Sequence, residues 1–118
     1  VDIHVKHSTI LNNDTLDESA YHAVDAWADG LIVTGKWTGD APDMSDLSLV
    51  RNTLGEHIPI FAGSGVDPTN VKNTLQIADG AIIGTYFKTK KHTEHSINVR
   101  SFEEEIDREK VLSVTSLV

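Results

Sequence analysis

Four short stretches of this 118-residue chain hold side chains that could do chemistry: Lys6-His7-Ser8, Thr34-Gly35-Lys36 with Thr38 just beyond, Gly63-Ser64-Gly65, and Gly84-Thr85. A lysine can bind a phosphate or carboxylate. It can also act as a base or Schiff-base amine if burial depresses its pKa. Lys6 fits ligand contact best, His7 either acid–base work or capping, and Lys36 an added positive charge. Paired glycines such as Gly63 and Gly65 let backbone come close to an anion and point amide groups at it. Gly30, Gly35 and Lys36 have the spacing of a phosphate-binding P-loop, but Trp37 stands where Mg²⁺ needs a hydroxyl. Leu31-Ile32-Val33 between those glycines is a β-branched run suited to a strand rather than a flexible turn. The P-loop reading is therefore rejected. His4 and His7 have no carboxylate–histidine pattern to complete a metal site, so no metal is expected.

These residues must be held by elements, and the chain reads as four β-α units. Apolar strand candidates cover residues 2–6, 31–34, 58–62 and 81–84. Each is followed by a helical pattern. The first has Leu16, Ala20, Ala23, Val24 and Trp27 on one stripe, behind a Thr15–Glu18 capping box. The second has Leu47, Val50 and Leu54, stopped by Gly55. The third has Val71, Leu75 and Ala78 after Asp67-Pro68 as N-cap and first helical residue. The fourth, capped by Asp107, has Val111, Val114 and Leu117 or Val118. "ADGLIVTG" at 28–35 returns as "ADGAIIGT" at 78–85, an internal echo of helix end, tight turn, strand and glycine exit. Such units form a parallel sheet covered by helices, either an open doubly wound sheet or a (β/α)₈ barrel. A barrel needs about 250 residues, so this chain would be half of one. In both architectures function gathers at the C-terminal ends of the strands. A barrel phosphate site is often built from the loops after strands 7 and 8. If the last two strands here hold those places, Gly63-Ser64-Gly65 and Gly84-Thr85 supply both halves of it. Alternation along 2–6 puts Asp2, His4 and Lys6 on the polar face, towards a barrel interior.

Composition narrows the partners. The net charge of −8 disfavours sequence-independent nucleic-acid binding. Lys88, Lys90, Lys91 and His92 form a local exception that reads as a solvated loop. No apolar run reaches the ~20 residues that cross a membrane. Cysteine is absent, which fits the cytoplasm or another reducing compartment. The chain opens on Val1 inside a strand pattern, which suggests a processed product or a fragment of a longer protein.

The motifs "VKHS", "ADGLIVTGKWTGDAPD", "IPIFAGSGVDPTNV" and "ADGAIIGTYFK", in this order and spacing, resemble the BtpA/SgcQ family. Its members are ribulose-phosphate-binding-type (β/α)₈ barrels, and its name comes from a member implicated in photosystem I biogenesis. The resemblance covers nearly the whole chain but only the C-terminal half of the family's length. It implies an α/β fold of four parallel β-α units, strands 5–8 of a TIM barrel, with residues 1–118 as a single half-barrel domain. It also implicates Lys6, His7, Thr34, Gly35, Thr38 and Gly39, then Gly63, Ser64, Gly65 and Asn70, and finally Gly84, Thr85 and Lys88. Residues 89–105 depart from the family's short link before the last helix. Any catalytic residue on strands 1–4 lies outside this chain. The function expected is a barrel enzyme binding a small phosphorylated molecule, without a cofactor. The rival is a non-enzymatic binding or assembly factor on the same scaffold. A half-barrel should also form a homo-oligomer or associate with the missing N-terminal half.

Overall fold

A computed structural model describes residues 1–5, 13–37, 39–89 and 105–118. The elements run β1 (Asp2–Ile3), α1 (Leu16–Asp25), β2 (Leu31–Val33), α2 (Met44–Leu54), β3 (Ile60–Ala62), α3 (Val71–Thr74), β4 (Gly80–Ala81) and α4 (Arg108–Thr115). All neighbouring strands are parallel and lie in the order β1-β2-β3-β4. An open doubly wound sheet reverses its strand order at a switch point, and this one does not. The fold is α/β, four parallel β-α units with the layout of half a TIM barrel.

The register explains the layering. Ile3, Val33 and Ala62 align across the sheet, as do Leu31 and Ile60. These side chains are buried against Ala20 of α1, Leu47 and Val50 of α2, Val71 of α3 and Val114 of α4. The intervening row, Asp2–Ile32–Phe61–Gly80, faces the other way. No helix of the described residues covers it, and Phe61 and Ile82 remain 36% and 50% exposed. Helices on one face and a bare opposite face are what half a barrel wall presents.

Several boundaries differ from the sequence expectation. β1 ends at Ile3 because His4 takes a positive φ of 50°. The expected polar face of residues 2–6 therefore breaks off. His4 Nε2 instead meets Ser19 Oγ of α1 at 3.0 Å, and Val5 is exposed rather than packed on a helix. α1 starts as expected, with the Glu18 carboxylate accepting from the Thr15 backbone N–H at 2.9 Å. It ends before Trp27, which adopts φ 68° while the Ala28 N–H reaches back to the Ala23 carbonyl. That left-handed turn swings Trp27 out of the expected stripe to 90% exposure. α3 is a single turn that begins at Val71 instead of Pro68. Asp67 still caps its approach, accepting from the Thr69 N–H at 2.8 Å and the Thr69 hydroxyl at 2.6 Å. β4 begins one residue earlier than expected and is two residues long.

The chain after β4 folds back before α4. Thr89 N–H donates to the Glu105 carbonyl and Asp107 N–H to the Phe87 carbonyl, with an antiparallel bridge between Lys88 and Ile106. This stem closes the base of the charged segment, whose residues 90–104 lie outside the described ones together with Lys90, Lys91 and His92. No helix among the described residues is long and apolar enough to cross a membrane.

Candidate functional site

The tips of β2 and β3 are joined by a serine. Ser64 is buried, donates its hydroxyl to the Asp40 carbonyl at 2.6 Å and accepts from the Gly35 N–H at 3.3 Å. It ties the loop after β2 to the loop after β3. Gly65 has φ 64°, and a Cβ there would fall on the Asp40–Ala41 backbone. Both conformation and close approach thus demand glycine. Asn70 completes the turn, donating from Nδ2 to the Gly65 carbonyl and accepting at Oδ1 from the Asp67 N–H, both at 2.9 Å. Trp37 is exposed, so the loop after β2 is held by Ser64 and Gly65 rather than by that side chain.

Two concavities open around this junction. The larger, about 500 Å³, lies between the tips of β3 and β4. Gly39, Gly65, Gly84 and Thr85 give it backbone and one hydroxyl. Val66, Ile83 and Tyr86 give it apolar walls, and Asp67 and Lys110 one charge of each sign. Nothing lies within 4 Å of the place where a Cβ on Gly84 would sit, so that glycine borders open space. Thr69 hydrogen bonds, the hydroxyl first and the backbone second, hold the Asp67 carboxyl below its usual range, and it is ionised at neutral pH. The smaller groove, about 140 Å³, is lined by Thr34, Gly35 and Lys36 together with Asp40, Asp43 and Asp46.

The expected ligand residues are thereby divided. Gly65, Gly84 and Thr85 meet in one cavity, although some twenty residues separate them in sequence. Ser64 and Gly63 stand behind it. Ser64 is engaged with the loops, and a Cβ on Gly63 would press on the Ile32 and Thr34 side chains at 2.5 Å. Thr34, Gly35 and Lys36 belong to the other groove, where three carboxylates make a poor environment for an anion. Lys6, His7 and Thr38 lie outside the described residues. Neither following helix lends a positive end to an anion here. α3 is only one turn, and the α4 amides of Glu109 and Lys110 are taken by the Asp107 carboxylate at 2.9 and 3.3 Å.

Sequence reasoning missed Lys110 and Tyr86. Tyr86 Oη is 3.1 Å from Ser113 Oγ, and Lys110 Nζ donates to the Lys88 carbonyl at 2.6 Å while standing 5.8 Å from the centre of the Tyr86 ring. The signal was present. Lys110, Val114 and Leu117 are spaced i, i+4, i+7, which puts the lysine on the buried face of the last helix.

The sequence model of the BtpA family matches residues 1–118. An uncharacterized protein of Pyrococcus furiosus is 38% identical over 89 residues, covering 74% of this chain and 32% of its own length. An uncharacterized protein of Archaeoglobus fulgidus is 38% identical over 87 residues, covering 74% of this chain and 34% of its own. The photosystem I biogenesis protein BtpA of Synechocystis is 32% identical over 98 residues, covering 82% and 34%. The chain spans about a third of the length of these relatives. With its fold, its glycine-bearing strand tips and a match along its full length, the chain belongs to the BtpA family.

Proposed function

We propose that this chain is the C-terminal half of a longer (β/α)₈ barrel whose cavity between β3 and β4 binds a small phosphorylated molecule. One observation carries the reading: Gly65 and the Gly84-Thr85 pair, from successive strand tips, line a single cavity of about 500 Å³. Backbone amides at glycines, a threonine hydroxyl and a lysine are the donors that a phosphate accepts from. The apolar walls of Val66, Ile83 and Tyr86 suit the remainder of a small organic ligand. Catalysis would draw on groups from the other half of the barrel or on Lys6 and His7, so the reaction stays unassigned. The sheet face with Phe61 and Ile82, which no helix of the described residues covers, and the edge positions of β1 and β4 favour association with that other half or with a second copy.

A second reading is a non-enzymatic assembly factor, favoured by that exposed apolar face and by the name of the Synechocystis relative. A thermal-shift series with inorganic phosphate, ribose 5-phosphate and glycerol 3-phosphate separates the two. Ligand at 100 times its dissociation constant stabilises by about 2.7 kcal/mol. Gly84→Asp places a carboxylate in open space beside the cavity without touching the packing, and it should abolish the shift. Absence of any shift in the unaltered chain, with dimers seen by light scattering, would favour the assembly factor.

A further inference from the structure

The phosphate reading needs a cation; of the two lysines first suspected, Lys36 belongs to the other groove and Lys6 lies outside the described residues. The geometry points to Lys110 of α4 as the residue that binds the anionic group of the ligand, an assignment that rests on the phosphate reading. Lys110 is the one cation among the described residues lining the cavity. Its ammonium group is already fixed in place: Nζ gives one hydrogen to the Lys88 carbonyl at 2.6 Å and lies over the Tyr86 ring. Both of those partners are themselves anchored. Lys88 bridges Ile106 across the stem and its N–H reaches the Thr85 carbonyl at 3.4 Å; the Tyr86 hydroxyl meets Ser113 Oγ at 3.1 Å, and Ser113 Oγ donates to the Lys110 carbonyl at 2.7 Å.

This arrangement has two consequences. An ammonium carries three donors, so one spent on Lys88 leaves two for an incoming anion. A lysine already held loses little side-chain freedom on binding, whereas an exposed lysine such as Lys36 must be ordered first. Lys110 thus performs two tasks with one group, clasping the segment after β4 and presenting charge to the cavity. The ionised Asp67 on the same lining sharpens the requirement. Without Lys110 the described part of the cavity would carry net negative charge and would repel a phosphate.

Isothermal titration of the 118-residue chain with inorganic phosphate and with ribose 5-phosphate, at two salt concentrations, tests this assignment. Lys110→Met should weaken binding by about tenfold or more, and the residual affinity should no longer fall as salt rises, because the charge left on the lining is that of Asp67. Lys110→Arg keeps the charge and should recover most of the affinity and the salt dependence. A lysine that merely props the loop would not alter the salt response, so this readout separates the two roles. Unchanged affinity in Lys110→Met, or a larger loss in Lys36→Ala, would overturn the assignment. If the unaltered chain binds and Gly84→Asp does not, while Lys110→Met binds normally, only the role of Lys110 fails. If the unaltered chain binds neither probe at millimolar concentration, the phosphate reading fails and Lys110 falls with it.

Discussion

At the N-terminal end of the strands, Arg51 is 11% exposed and its guanidinium is fully engaged. Nε and Nη2 donate to the Ile77 carbonyl at 3.1 and 3.0 Å, and Nη1 to the carbonyls of Gly55 and Ile58 at 3.0 and 3.2 Å. Nη2 also pairs with Asp79 at 2.5 Å, and the same carboxylate oxygen accepts from the Ile60 N–H at 2.8 Å. One side chain thus locks the end of α2 to the starts of β3 and β4. At the C-terminal end, by contrast, Gly84 borders open space, and Lys110 keeps donors in reserve beside a cavity. Both ends are built from glycine turns and charged side chains. They differ in whether the hydrogen-bonding capacity is used up or left available. Rigidity at one end is what allows the other to hold unsatisfied groups in fixed positions.

Breaking the closed end should produce the largest effect. Arg51→Ala strands the part-buried carbonyls of Ile58 and Ile77 and leaves Asp79 without its cation, so a loss of about 2–4 kcal/mol is expected in urea denaturation. The Arg51–Glu56 pair, at 3.9 Å with Glu56 mostly exposed, contributes little of this. A midpoint shift worth less than about 0.5 kcal/mol would show that the network is ornamental.

A smaller loss is expected from the joint beneath the open end. Ser64→Ala removes the bridge between the Asp40 carbonyl and the Gly35 N–H, at a cost of about 1–2 kcal/mol. The damage should be local. Hydrogen exchange at the Gly35 amide should accelerate more than at Ile60, which sits in the Arg51 end of the sheet. Equal acceleration at both would mean that the two ends are one cooperative unit and would erase the distinction between them.

Sequence periodicity revealed the layers of the fold but not the ends of its elements. Alternation and helical spacing report burial, and burial is decided along a whole element, so Leu31, Val33, Leu47, Val50 and Val71 fell where expected. Termini depend on single backbone choices. His4 and Trp27 take left-handed conformations that sequence assigns to glycine first, and each redirected a residue expected on a packed or inward face. At the site, Gly65 and Gly84 were legible as turn residues at strand tips. Their different purposes were not, because close packing and open space look alike in a sequence. Lys110 was hidden for another reason: it arrives from a helix some twenty-five residues beyond Gly84, and only the stem after β4 brings it to the cavity. Arg51 likewise gains its partners from two other turns, which no local window contains.

The last and smallest effect concerns acid. The Ile60 N–H first, and then the Arg51 guanidinium, hold the Asp79 carboxyl below its ordinary value. A carboxyl with a lowered folded pKa contributes stability that is fully present above its unfolded pKa. That contribution is lost as pH falls through the folded pKa. Asp79→Asn retains an oxygen for the Ile60 N–H but not the charge that faces Arg51. The stability gap between the unaltered chain and Asp79→Asn should therefore be widest near neutrality and should close as pH falls below the ordinary carboxylate range. Because the Asp79 side chain is 47% exposed, solvent screening holds the gap at neutral pH to below about 1 kcal/mol, and salt should narrow it further. Arg51 stays charged throughout this range, so the titration belongs to the carboxyl. Denaturation curves at pH 7, 5 and 3 measure the gap directly. A gap that grows on acidification would have the wrong sign for a depressed carboxyl, and it would remove Asp79 from the clasp that sets the closed end apart.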